Sequence, residues 1–107
     1  MKTKTTQADI SNTKFTQKKV WEVSTAHITE EDNNTLGKQS MEDVVSYPYE
    51  FGYFIVVQSD KMTVNNPDKM SNAFIKIYND AIESGVNLIQ FDRDAGPDNP
   101  DYPTFDW

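Results

Sequence analysis

The sequence has no cysteine and a single histidine, His27. Without thiols the chain forms no disulfide, holds no thiolate zinc site or iron–sulfur cluster, and offers no cysteine nucleophile. One histidine excludes His-rich metal sites and leaves any conventional catalytic triad to His27. Long apolar runs are missing as well. Nothing approaches the roughly 20 apolar residues that cross a bilayer, and residues 1–19 are polar where a secretory signal needs an apolar segment. The expectation is a cytosolic location with no membrane partner, which leaves the Asn33-Asn34-Thr35 sequon idle. With only four glycines, neither G-x-x-x-x-G-K-[ST] nor G-x-G-x-x-G occurs, so the phosphate-cradling loops of nucleotide sites are absent.

What is present is acid. The net charge is −7 over 107 residues. Residues 1–19 hold five lysines against Asp9, so residues 20–107 carry sixteen acids and five bases, a balance of −11. A field of that sign repels nucleic acid and attracts basic surfaces. The length fits one domain that buries roughly two-thirds of its unfolded surface, enough for a two-layer core but not for a deep active-site cavity as well. A small binding protein is favoured.

The strongest periodic signal lies between Asn66 and Asp94. Met70, Ala73, Phe74, Ile77, Ala81 and Ile82 recur at spacings of three and four, which predicts an amphipathic helix over 67–84. Asn66 is its expected cap, Pro67 its first residue and Gly85 its left-handed stop. Val86–Phe91 then reads as a buried strand, as does the continuously apolar run Gly52–Gln58. Strand, helix and strand in that order have the length of a right-handed crossover, predicting that the two strands are parallel. Phe74, Ile77 and Ala81 are expected to pack on Ile55, Val57, Leu88 and Phe91. Alternation at Val20, Glu22, Ser24 and Ala26 predicts a first strand over Lys19–Ile28. Thr29-Glu30-Glu31-Asp32 resembles a capping box opening a short helix over Glu30–Leu36 that stops at Gly37. Ser40–Val45 could form one more helical turn, and Tyr47-Pro48-Tyr49-Glu50-Phe51 reads as a loop or extended lead-in. The fold class is therefore α+β, a two-layer α/β arrangement of order β-α-β-α-β with one long helix on a small mixed sheet of three or more strands. Residues 1–17 form a flexible basic arm. Residues 18–107 form the single α/β domain, with an acidic, aromatic tail over 95–107 expected to fold back because solvated tails have little use for Tyr102, Phe105 and Trp107.

Three constellations could carry chemistry. Asp92-Arg93-Asp94 superficially resembles the D-x-D of haloacid-dehalogenase-type phosphotransferases, but those enzymes place the pair on a first strand within a larger sheet. Asp92, Asp94, Asp98 and Asp101 are oxygen ligands in a Gly/Pro-broken segment, yet they lack the spacing and the bidentate Glu of a calcium loop. Ser24 and His27, near Glu30 and Glu31, could make a nucleophile and base, although three residues apart in a strand they point to opposite faces. A hydrolase or metal-dependent enzyme using His27 or Asp92/Asp94 is thus the alternative to a non-catalytic reading, and a satisfied structural histidine is the favoured reading of His27. No cofactor and no metal site is expected.

VSTAHIT at 23–29, GYFIVV at 52–57 and IQFDRDAG…YPTFDW at the end together resemble a family of small uncharacterised domains found in bacterial, plasmid and phage genomes. The resemblance covers residues 20–107 and implies a mobile-element setting. Small acidic proteins of that setting include inhibitors of host defence, of anti-CRISPR and anti-restriction type, some of which present carboxylates as DNA presents phosphates. That is an argument by analogy. It implies a basic or nucleic-acid-binding protein as partner, with no direct contact to nucleic acid. The acids nominated for that contact are Glu30, Glu31, Asp32, Glu42, Asp43, Asp92, Asp94, Asp98 and Asp101. The rival reading is an accessory interaction domain or homodimer that uses the aromatics Tyr47, Tyr49, Phe51, Tyr102, Phe105 and Trp107 without mimicry.

Overall fold

Val20–Ser24 forms the first strand, β1, and stops sooner than the alternation suggests. The Ser24 hydroxyl accepts from the Ala26 N–H at 3.1 Å, and Ile28 N–H closes a 3-10 turn over Thr25–His27 onto the Thr25 carbonyl. A side chain competing for backbone groups in this way ends a strand. The capping box forms as expected: Thr29 Oγ1 accepts from Asp32 N–H at 3.0 Å, and Asp32 Oδ2 accepts from Thr29 N–H at 3.0 Å. Helix α1, Glu30–Lys38, runs through Gly37 instead of stopping there. Its stop is Gln39, left-handed at φ 53°, whose side-chain amide donates to the Ser46 carbonyl at 2.8 Å and so ties the helix end to the next strand.

The structure, a computed structural model, describes residues 15–39, 44–62 and 70–107. The expected helical turn at Ser40–Val45 falls largely outside them, as do Asn66, Pro67 and most of the basic arm. Val45–Tyr49 is a strand, β2, that hairpins through Glu50-Phe51 into β3, Gly52–Val56. The element order is accordingly β-α-β-β-α-β. Helix α2 spans Asn72–Glu83 and is shorter than the predicted 67–84. Ser71 is its cap, accepting from Phe74 N–H at 3.2 Å, and Gly85 at φ 73° follows its end. Strand β4, Leu88–Asp92, completes the set.

The sheet has four strands in the order β1-β4-β3-β2. β1 and β4 are parallel, whereas β3 and β4 are antiparallel, so the crossover expectation is corrected. The reason is the direction of α2. It starts where Ser71 N–H donates to Asp32 Oδ1 at 2.9 Å, at the end of the sheet where β1 finishes. It ends beside Leu88, which pairs with Val56, the last residue of β3. The helix thus runs the same way as β3, and a strand returning from it must oppose β3. Close approach of the two strands is set by Gly52, where a Cβ would lie 1.8 Å from the Phe91 carbonyl oxygen.

Both helices lie on one face. Phe74 of α2 stacks on Phe91 at 5.8 Å, while Tyr53 OH and Ser46 Oγ donate to the α1 carbonyls of Asn33 and Leu36. The rows beneath them are Trp21–Ile89–Ile55–Ser46 and Val23–Phe91–Tyr53–Pro48. The opposite face carries Val20, Leu88, Val56 and Val45, each at least partly exposed. Among the described residues no helix is long and apolar enough to cross a membrane.

Candidate functional site

Parallel pairing brings the carboxyl ends of β1 and β4 together, with Ser24 beside Asp92. The chain leaving β4 lies across that end, held by four hydrogen bonds. Tyr102 OH donates to Asp80 Oδ2 of α2 at 2.7 Å. His27 Nδ1–H donates to the Pro103 carbonyl at 2.8 Å, which fixes the imidazole tautomer. Phe105 N–H donates to the Ala26 carbonyl at 2.8 Å, and Trp107 Nε1–H to the Ile28 carbonyl at 2.9 Å. Residues 102–107 therefore bridge from α2 to the start of α1. His27 is 2% exposed and meets Tyr102 edge-on at 6.0 Å.

This geometry gathers part of the nominated acidic set and breaks up the rest. Asp94, Asp98 and Asp101 are exposed on the tail, and Glu30 and Glu31 are exposed where α1 begins, at the same end of the sheet. Asp92 is half-buried. It accepts from Tyr49 OH and from Asp94 N–H, both at 2.7 Å, and these bonds, the Tyr49 one foremost, hold its carboxyl below the usual carboxylate range. Asp32 leaves the set: it is 3% exposed, with both oxygens turned to Thr29 and Ser71. Its place at the third position of a capped helix, which fitted a surface acid, turns it inward instead. Glu42 and Asp43 lie outside the described residues.

Two of the basic side chains sit elsewhere, and two lie at this end engaged by neighbours. Lys19 Nζ donates to the Ser84 carbonyl at 2.9 Å and Lys61 pairs with Glu83 at 3.0 Å, both at the opposite end of the sheet. Lys76 is engaged with Asp80 at 2.9 Å and lies 4.4 Å over the Tyr102 ring. Arg93 is at the acidic end too, and its guanidinium stacks 5.2 Å over Phe51.

Ser24 and His27 border an open cleft of about 370 Å³ between β1, α2 and the tail, together with Trp21, Glu22, Asp101 and Tyr102. Ser24 Oγ is engaged by Ala26 N–H, and His27 Nδ1–H by the tail. Among the described residues no group of three or more His, Asp or Glu side chains is arranged to hold a metal ion. Tyr49 was nominated from sequence as an interaction aromatic, but its hydrogen bond to Asp92 and the β1 cleft were not foreseen. The alternation at 20–24 marks a strand, but only the strand order reveals that it lies at an edge.

The tail anchor gives a pH-dependent expectation. Burial first, then the hydrogen bond and charge of Asp80, push the Tyr102 hydroxyl from 10.0 up to about 12. On Asp80 itself burial acts upward, but the bonds from Tyr102 and Lys76 outweigh it and hold the carboxyl low. Since the fold favours the neutral phenol, its contribution is complete below pH 10 and is lost as the pH rises through about 12. Tyr49 and Tyr53 are also raised, chiefly by burial, and titrate in the same direction. Tyr102→Phe should therefore partly flatten the alkaline fall in Tm measured from pH 9 to 12. A slope identical to the parent's would contradict this assignment.

No curated protein and no solved structure matches the chain. Residues 20–107, which hold every strand and helix described above, match the C-terminal domain of a family of unknown function, DUF5983, and the chain belongs to that family.

Proposed function

We propose that this domain is a non-catalytic, cytosolic binding module that takes a basic or nucleic-acid-binding protein at the end of the sheet where β1 and β4 finish. The observation that supports it most is the separation of charge. Glu30, Glu31, Asp94, Asp98 and Asp101 are exposed at that end, where Lys76 and Arg93 are taken up by Asp80, Tyr102 and Phe51, and Lys19 and Lys61 are at the other. An acidic surface of this kind speeds encounter with a basic partner and rejects nucleic acid. The likeness to phage- and plasmid-encoded domains supports a partner in host defence, with the carboxylates standing in for DNA phosphates. In that reading mimicry rests on five rim acids and does not use Asp32.

Capture of host proteins on the immobilised chain, in low and then high salt, tests this reading. The parent should retain a basic protein in low salt and release it in high salt, because exposed charge pairs are screened within about 10 Å at 0.1 M. The variant Glu30→Gln/Glu31→Gln/Asp94→Asn/Asp98→Asn/Asp101→Asn should bind that protein about tenfold or more weakly, mostly through a slower on-rate. Equal retention by parent and variant in low salt would remove the main support for an acidic module.

A further inference from the structure

β1 is paired on one side only. Its neighbour is β4, and among the described residues no strand pairs with its other edge. The phase of the ladder says which groups are left over. Leu88 N–H donates to the Lys19 carbonyl at 3.2 Å, and in a parallel ladder alternate residues carry the bonds to one neighbour. Lys19, Trp21 and Val23 therefore face β4, and Val20, Glu22 and Ser24 turn their N–H and C=O groups to the free side. Ser24 is buried, but Val20 and Glu22 are exposed, with Val20 at 44%. Proteins commonly blunt such an edge with lysine, proline or a bulge, and β1 has none of these.

The free edge also has walls. The cleft of about 370 Å³ runs along all of β1 and is closed opposite by Ile77 of α2 and by Tyr102 and Asp101 of the tail. We infer that this edge receives an extended, basic peptide from the partner protein as an added strand. The inference rests on the proposed function, and names how that partner is held.

Alternation on β1 dictates what the peptide looks like. Trp21 and Val23 point to the helix face and pack against the core beside Ile77 and Tyr102. Glu22 lies on the other face, in the row of Gln90, Phe54 and Tyr47. An added strand shares this two-faced arrangement, so its side chains alternate between apolar groups over Trp21 and Val23 and basic groups beside Glu22. Asp101 reinforces the basic requirement, no Lys or Arg is among the residues lining the cleft, and the nearby Lys76 is paired with Asp80. At about 3.4 Å per residue, the five residues of β1 match a peptide segment of about five.

The test titrates the ¹⁵N-labelled full chain with a synthetic heptapeptide of alternating valine and lysine. Amide exchange at Val20 and Glu22 should slow on binding, while Trp21 and Val23, already bonded to β4, should not change. Two further peptides, N-methylated at the valines or at the lysines, remove the donors of one alternate set each. One of the two should bind about tenfold or more weakly and the other should not, since lost main-chain hydrogen bonds govern this mode. Val20→Pro should block the site with little change in Tm, because the Val20 N–H faces away from β4; should it lower Tm instead, the methylated peptides and the exchange data decide. Three outcomes of the titrations would overturn the inference: no heptapeptide binding, equal binding of both methylated peptides, or binding without protection at Val20 and Glu22. If the rim variant described above still loses its captured partner in those cases, the acidic module stands and only the added strand falls. Protection of the two amides without peptide would also overturn it. In a dimer by sedimentation the edge belongs to a second copy, and in a monomer it belongs to the chain itself.

Discussion

Phe74→Ala should lower the unfolding free energy by about 3–5 kcal/mol, the range for truncating a buried aromatic. Phe74 is fully buried, stacked on Phe91 of β4 at 5.8 Å and on Tyr78 of its own helix at 6.0 Å. It is the side chain through which α2 grips the centre of the sheet, and both ring neighbours are themselves buried, so the cavity has little freedom to collapse. Urea denaturation of parent and variant measures the loss. A fall below about 1 kcal/mol would mean that α2 does not pack on β4 in this way. Ile82→Ala, on the partly exposed flank of the same helix, removes less buried area and should cost clearly less.

The residues of that packing show what sequence could and could not deliver. Phe74, Ile77 and Ala81 were legible as one face of a helix because spacings of three and four survive any tertiary context. Ile55 and Phe91 do lie beneath the helices. Leu88, expected with them, does not. It is the immediate neighbour of Ile89 in the strand and so faces the other side of the sheet, in the row of Val20 and Val56. A continuous apolar run hides such alternation, since both faces of the strand look the same in composition. β2 was missed for a related reason. Pro48 breaks the strand pattern, yet β2 is an edge strand, where a residue without an N–H can turn its nitrogen out of the ladder. Strand direction was illegible altogether. It depends on where α2 begins relative to Asp32, a contact between residues 39 positions apart that no local pattern encodes. The tail's aromatics signalled that 95–107 is not merely solvated, but the partners of its polar atoms, Asp80 and the carbonyls of Ala26 and Ile28, emerge only in three dimensions.

Asp32→Ala should cost about 3 kcal/mol, although the residue reads in sequence as one more surface acid. A single carboxylate serves the starts of both helices. Oδ2 accepts from Thr29 N–H at 3.0 Å and from the Ser71 hydroxyl, and Oδ1 accepts from Ser71 N–H at 2.9 Å. Thr29 caps α1 and Ser71 caps α2, so the negative charge lies near the positive ends of two helix dipoles. Removing it strips the reciprocal half of a capping box and leaves buried donors without an acceptor, each worth about 1–3 kcal/mol. Glu30→Gln or Glu31→Gln, on exposed neighbours one and two residues away, should stay within about 0.5 kcal/mol of the parent. Ser71→Ala and Asp32→Ala combined should lose less than the sum of the two, with a coupling of at least about 0.5 kcal/mol, because both changes break the same bridge. Strict additivity in the double-mutant cycle would show that the two helix starts are not joined through Asp32. The same variants separate stability from recognition: a rim acid changes binding while leaving Tm in place, and Asp32 changes Tm because it has no surface to offer a partner.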